Sequence, residues 1–171
     1  MFVNKIFAQY NSILWGLPKN ATYLSIAGDY TFLSYNYERI FYLNRQLFLS
    51  GKVGIGVSAE EFEINISFGT HNEDFFVIPH HLTFNAGIKG HNLEIGPGGA
   101  YLIGMKDKYV DSQNHKFYAP FAIIGYRFQP YFHDVNMIIR VYTCFPYRHE
   151  IKSSGYKFNA SPLGLSLGLC F

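Results

Sequence analysis

Several side chains in this sequence are of types that carry out acyl transfer. Ser112 precedes His115 by three residues, and Ser153 and Ser154 follow His149 and Glu150. A serine, a histidine and a carboxylate brought together let the histidine take the serine proton while the carboxylate orients the ring. At the rim of a barrel such a group would hydrolyse lipid. The strand-to-helix elbow that usually presents such a serine has the pattern Gly-x-Ser-x-Gly. Those letters occur at Gly164 to Gly168, but inside an alternating apolar run, where Ser166 reads as an inward serine between small neighbours. The seven histidines are a weaker signal. His80 and His81 are adjacent, so on a strand they face opposite ways and cannot share a metal. His71, His115 and His149 match no zinc-ligand spacing. The residues thus point to no metal and no cofactor, with a lipid hydrolase as the second reading.

The other set is ionic. Glu38, Lys52, Glu94, Arg127 and Arg140 each fall on the small, polar side of an alternating run. If that side faces an interior, each ion must be paired and hydrogen-bonded there, because an isolated buried charge is too costly. The expectation is a structural ion-pair network that ties strands together and fills a lumen. A proton or ion path is the functional alternative.

The elements that would position these residues are strands. Apolar residues alternate with small or polar ones in eight runs, near 20–28, 31–42, 46–58, 76–89, 91–105, 117–129, 135–146 and 161–171. In the last, Leu163, Leu165, Leu167, Leu169 and Phe171 share one face, and Gly164, Ser166, Gly168 and Cys170 the other. A large apolar face opposed to a glycine-rich face suits the narrow interior of an eight-stranded barrel. The connections near 43–45, 89–91 and 129–134 are short, whereas those near 59–75, 106–116 and 147–160 are long. Outer-membrane barrels show that asymmetry, with short periplasmic turns and longer outer loops. The connection around Gly28-Asp29 is short and would lie among the long ones. Glu61 to Phe68 alternates in the opposite phase to the third run, and reads as a hairpin extension after a bulge or as a separate strand. Phe41, Tyr42, Phe48, Tyr101, Tyr118, Phe128, Tyr131, Phe132, Phe145 and Tyr147 lie near run ends, as interfacial aromatic girdles do. The predicted fold is therefore all-β, an eight-stranded antiparallel up-and-down transmembrane β-barrel over 20–171.

Composition agrees. Aromatic residues make up 19% of the 171 and charged residues 15%, below the usual quarter. The net charge of +2 is too small to argue for nucleic acid. Mean hydropathy is +0.01, and no run of about 18 apolar residues exists to form a membrane helix. Residues 1–19 form a separate N-terminal segment. Its start, MFVNKIFAQ, ends like a secretory signal but lacks the signal's apolar core, so it reads as a signal remnant or a periplasmic arm.

Ser34-Tyr35-Asn36-Tyr37-Glu38-Arg39, Leu93-Glu94-Ile95-Gly96-Pro97-Gly98, Gly125-Tyr126-Arg127-Phe128-Gln129-Pro130 and the closing Gly164-Leu165-Ser166-Leu167-Gly168 resemble the small outer-membrane β-barrel proteins of the Bacteroidota. The resemblance implies the fold and a place in the bacterial outer membrane, with membrane lipid and the barrel-assembly machinery as partners and other envelope proteins as further ones. It implies no catalytic residue. Phe171 is similar to the terminal aromatic that the assembly machinery recognises. A non-enzymatic structural or accessory barrel leads, followed by the rim hydrolase. A soluble, lipocalin-like barrel for an apolar ligand is third, since Trp15-Gly16 precedes the first run and the Gly-x-Trp pattern is absent.

Overall fold

A strand whose side chains alternate between large apolar and small polar must present those two sets to different surroundings. In a computed structural model of the chain, which describes residues 17–59, 74–104, 116–130, 136–146 and 163–171, that separation is made by closing one sheet on itself. The strands are β1 (Asn20–Ile26), β2 (Leu33–Tyr42), β3 (Leu47–Ala59), β4 (Asp74–Ile88), β5 (His91–Gly104), β6 (Lys116–Phe128), β7 (Met137–Pro146) and β8 (Leu163–Cys170). Each pairs antiparallel with the next, and β1 with β8, giving a closed eight-stranded up-and-down barrel. At the seam Leu24 stands opposite Leu167, and the Phe171 carbonyl accepts the amides of Lys19 and Asn20 at 3.1 and 2.9 Å.

The two rims differ. At one, the turn rim, β4 and β5 are joined through Lys89 and Gly90, both with positive φ (54° and 85°). That is the pair of left-handed positions a two-residue hairpin needs to match strand twist. On the same rim Asn44 accepts the amides of Gln46 and Leu47 with its side-chain oxygen, each at 2.7 Å, and so shapes the β2–β3 turn. The ends of β1, β3, β5 and β7 share the opposite rim, the loop rim. The runs expected at 20–28 and 31–42 stop short there, at Ile26 and Leu33, because Ala27 to Tyr30 leave the extended region altogether.

Sidedness follows period two throughout. Tyr35, Val53, Ile55, Leu82, Leu93, Ile95, Ile124, Val141 and the β8 leucines point outward and are exposed, while Ser25, Asn36, Glu38, Lys52, Asn85, Glu94, Arg127, Arg140 and Ser166 are buried inside. Among the described side chains of the strands, the outward ions are Arg39 near the turn rim and Lys116 at the loop rim. Close approach explains two inward glycines. A Cβ at Gly125 would lie 2.6 Å from a Glu94 oxygen, and one at Gly164 would lie 2.4 Å from the Tyr142 ring. The large polar side chains need that space.

Two aromatics expected in a girdle, Phe48 and Tyr42, lie elsewhere. Phe48 is 1% exposed and points into the barrel, because it shares the parity of Ser50 and Lys52. Its ring meets Tyr42 at 5.3 Å, and Tyr42 turns partly inward with it. Nearness to a strand end says nothing about which face a residue takes. Phe41, Tyr101, Tyr118 and Phe145 do face outward near the rims. Tyr131, Phe132 and Tyr147 lie outside the described residues, as do Glu61 to Phe68, Trp15 and residues 1–16.

Cys144 and Cys170 are both buried and unpaired. The Cys170 amide donates to the Asn136 carbonyl, so eight residues of strand separate it from Cys144, roughly 26 Å at about 3.3 Å per residue. A disulfide needs Cα atoms within about 7 Å. Thiol titration of the denatured, unreduced protein is expected to find two free thiols, and an intramolecular Cys144–Cys170 bond would contradict the β7–β8 register.

Candidate functional site

Among the described residues, the lumen is where the fold gathers polar chemistry. Arg127, from the turn-rim end of β6, pairs with Glu38 of β2, and its Nε donates to Gln129 Oε1 at 3.0 Å. Its guanidinium lies 5.0 Å from the centre of the Phe48 ring. Arg140 of β7 reaches further. Its Nε and one terminal nitrogen grip the Glu94 carboxylate of β5 at 2.9–3.2 Å. The other terminal nitrogen donates to Tyr23 and stands 3.6 Å from Glu38. Tyr23, from β1, passes its own hydroxyl proton toward Glu38 at 2.8 Å. Arg140 also meets His81 Nε2 at 3.2 Å. A guanidinium only donates, so Nε2 is the bare nitrogen and the ring proton of neutral His81 sits on Nδ1.

Four of the five predicted ions therefore form one connected set, Glu38, Glu94, Arg127 and Arg140. Lys52 does not join it by an ion pair. Although opposite Glu38 in the β2–β3 register, its ammonium pairs with Asp29. Asp29 belongs to the short β1–β2 connection, and its side chain enters the barrel. With Asp29 included, three buried carboxylates face three buried cations, so the described lumen is charge-balanced.

Asp29 is held by much besides Lys52. The Tyr142 hydroxyl donates to Oδ2 at 3.1 Å, the Cys144 thiol to Oδ1 at 3.5 Å, and the Asp29 amide donates to Cys144 Sγ at 3.4 Å. Tyr30 follows it inside, 6.0 Å from the Phe121 ring. To deliver both side chains the backbone is left-handed at four successive positions, Ala27, Gly28, Asp29 and Tyr30 (φ 58°, 71°, 53° and 60°). Each non-glycine residue there costs on the order of 1–2 kcal/mol. The turn is kept by Thr31 N–H to Gly28 O at 2.8 Å, Ala27 N–H to Phe32 O at 2.9 Å and Phe32 N–H to Val57 O at 2.8 Å.

Sequence reasoning missed Asp29, Tyr23 and Tyr142. The two tyrosines were within reach, since each shares the parity of an inward polar residue on its own strand, Ser25 and Arg140. For Asp29 no local signal exists; Gly28-Asp29 reads as an ordinary exposed turn.

The lumen-facing Ser166 meets Ser25 at 2.8 Å rather than a histidine. His80 and His81 take opposite faces, His80 stacking on Tyr118 outside and His81 buried inside. Among the described residues no three His, Cys, Asp or Glu side chains group as metal ligands. Ser112, His115, His149, Glu150, Ser153, Ser154 and His71 lie outside the described residues. Phe171 is exposed at the turn rim and is tied to the seam through its backbone alone.

No protein-family model matches the chain, and neither a curated protein nor a solved structure matches it.

The network sets a stability order. Glu38→Ala leaves Arg127 without its carboxylate and is expected to cost about 3–5 kcal/mol, whereas Arg39→Ala, at the exposed rim, is expected to cost at most about 1 kcal/mol. Refolding titrations of the two variants check this, and equal effects would mean that the lumen ions are solvated.

Proposed function

We propose that this chain is an integral barrel of the bacterial outer membrane, with a non-enzymatic structural or accessory role in the cell envelope and a lumen closed by its own ion pairs. One observation carries the reading: the barrel's outer face is apolar while its ion pairs are buried within. A soluble barrel needs a polar exterior, whatever its cavity holds. Here Leu163, Leu165, Leu167 and Leu169 are each about half exposed on β8, next to Leu24 and Ile26 of β1. Water would solvate that surface poorly; hydrocarbon would not. β2 and β7 have ten residues each, within the about 9–11 that a strand tilted by about 45° needs to cross the hydrocarbon. Arg39 and Lys116 sit near opposite rims, where headgroups would receive them. Tyr101, Tyr118 and Phe145 toward one rim and Phe41 toward the other fit the interfacial girdles.

The resemblance to the small Bacteroidota barrels points the same way, and with it the assembly machinery as the partner that would read Phe171. A sealed lumen argues against a pore. Arg127, Arg140, Glu38 and Glu94 cross the interior from four different strands, and Phe48 and Tyr42 fill the turn-rim side beneath them.

The protein is expected to fold only in detergent or lipid and to migrate differently on gels before and after heating. A monodisperse folded protein in plain buffer would overturn the reading. Leu167→Arg is expected to cost roughly 2–4 kcal/mol in lipid if this site lies near the midplane; a neutral result in a lipid refolding titration would contradict the assigned outward face. Planar-bilayer recordings are expected to show no large, steady single-channel current.

A further inference from the structure

Toward the loop rim the β4–β6 side of the lumen is apolar, while Ser25, Thr31, Ser34 and Asn36 make the β1–β2 side polar. Val77, Ala100, Leu102, Ala119, Phe121 and Ile123 are all buried on the apolar side. Into this chamber the chain inserts two consecutive side chains from a turn, the Asp29 carboxylate and the Tyr30 ring. Connections ordinarily lie on the surface. Here both residues are brought in by a left-handed backbone that only glycine adopts freely.

The groups that receive Asp29 do not belong to the turn. Lys52 comes from β3, and its ammonium stands 5.9 Å and 6.0 Å from the ring centres of Tyr142 on β7 and Tyr23 on β1. Strands hold all three in place, so the carboxylate-binding groups persist whether or not the turn is seated. With the turn withdrawn, Lys52 would be a buried ammonium without a counter-charge. Such a group favours any carboxylate that can reach it.

We infer that the loop-rim lumen is a binding site for a small apolar monocarboxylic acid, and that Asp29 and Tyr30 fill it as the chain's own substitute for that ligand. The ligand carboxylate takes the place of Asp29 between Lys52 and the Tyr142 hydroxyl. Its aromatic or short alkyl body takes the place of Tyr30 against Phe121. The interior of an eight-stranded barrel holds little beyond its side chains or one small ligand, so the ligand is no larger than the two side chains it displaces. Below it the Glu38–Arg127 and Glu94–Arg140 pairs close the way, which makes the site a blind chamber rather than a pore. This goes beyond the sealed barrel proposed above and does not depend on lipid, because the chamber is the same in whatever medium the barrel folds.

The test uses the folded barrel in detergent and two photolabels, a trifluoromethyl-diazirinyl benzoate and the corresponding neutral benzyl alcohol, with sites mapped by peptide mass spectrometry. The Asp29→Ala/Tyr30→Ala variant is expected to gain at least tenfold more benzoate labelling than the native chain on inward positions such as Leu102, Ala119 and Phe121. The alcohol is expected to show no such gain, and adding Lys52→Met is expected to remove it. Labelling confined to outward residues, equal labelling by acid and alcohol, or indifference to Lys52→Met would each overturn the inference. A second measurement needs no variant. Seating the turn uses the amides of Ala27 and Thr31, bonded to the Phe32 and Gly28 carbonyls, so millimolar 3-phenylpropanoate is expected to speed hydrogen exchange of the Ala27–Phe32 segment several-fold and leave the β5 and β6 amides unchanged, whereas 3-phenylpropanol is expected to do neither. No change in that segment, or equal acceleration by acid and alcohol, would overturn the inference even if the double variant fails to fold. Folding in plain buffer would sink the membrane reading and leave this one standing.

Discussion

The structure depends on Arg140 finding its partners. A guanidinium cannot shed its charge at any ordinary pH, and inside a barrel it has no bulk water to hold it. It must meet acceptors from several directions at once. Arg140 does so by drawing on Glu94 from β5, Glu38 from β2, Tyr23 from β1 and His81 from β4. Those strands lie on several sides of the barrel, so one side chain links walls that have no ladder hydrogen bonds to each other. Buried ion pairs of this kind gain little net stability over a well-packed apolar core. Their effect is on register: sliding any of these strands by one residue would turn its ion outward and leave the partner bare.

The rest of the architecture accommodates that interior. Once the long polar side chains occupy the lumen, their neighbours must be small, and glycine at 125 and 164 gives Glu94 and Tyr142 their space. Once the polar groups are inside, the alternation of the strand leaves leucine, isoleucine, valine and tyrosine outside. The two rims then take different characters. Toward the turn rim the lumen is ionic, with Arg127 lying over Phe48. Toward the loop rim its β4–β6 side is apolar, and the β1–β2 connection reaches in beside it, its four left-handed residues held against their own preference by hydrogen bonds and by the Asp29–Lys52 pair. Backbone strain of this sort persists only where surrounding contacts over-determine it.

Much of this was legible in the sequence, because period two is a strong code. The eight runs matched the eight strands, and the parity of Glu38, Lys52, Glu94, Arg127 and Arg140 put all five inside. Parity fixes a face but not a partner. Lys52 stands opposite Glu38 in the sheet yet pairs with Asp29, since the choice depends on where a long, flexible side chain can reach within the lumen. Phe48 and Tyr42 were misplaced when nearness to a strand end was allowed to override parity. Asp29 and Tyr30 were invisible for another reason. A turn that folds back into a barrel is stabilised by Tyr142, Cys144 and Lys52, all distant in sequence, and none of that appears in the local letters Ala-Gly-Asp-Tyr.

The central claim is that the apolar outer face meets hydrocarbon. Nitroxide labels at Ile55, Ile95 and Leu167, one at a time in a cysteine-free background reconstituted into lipid vesicles, report this directly through their collision rates with oxygen and with a water-soluble nickel chelate. High oxygen and low nickel accessibility at all three positions, on β3, β5 and β8, is the predicted result. Nickel accessibility matching that of a label in free solution would contradict it.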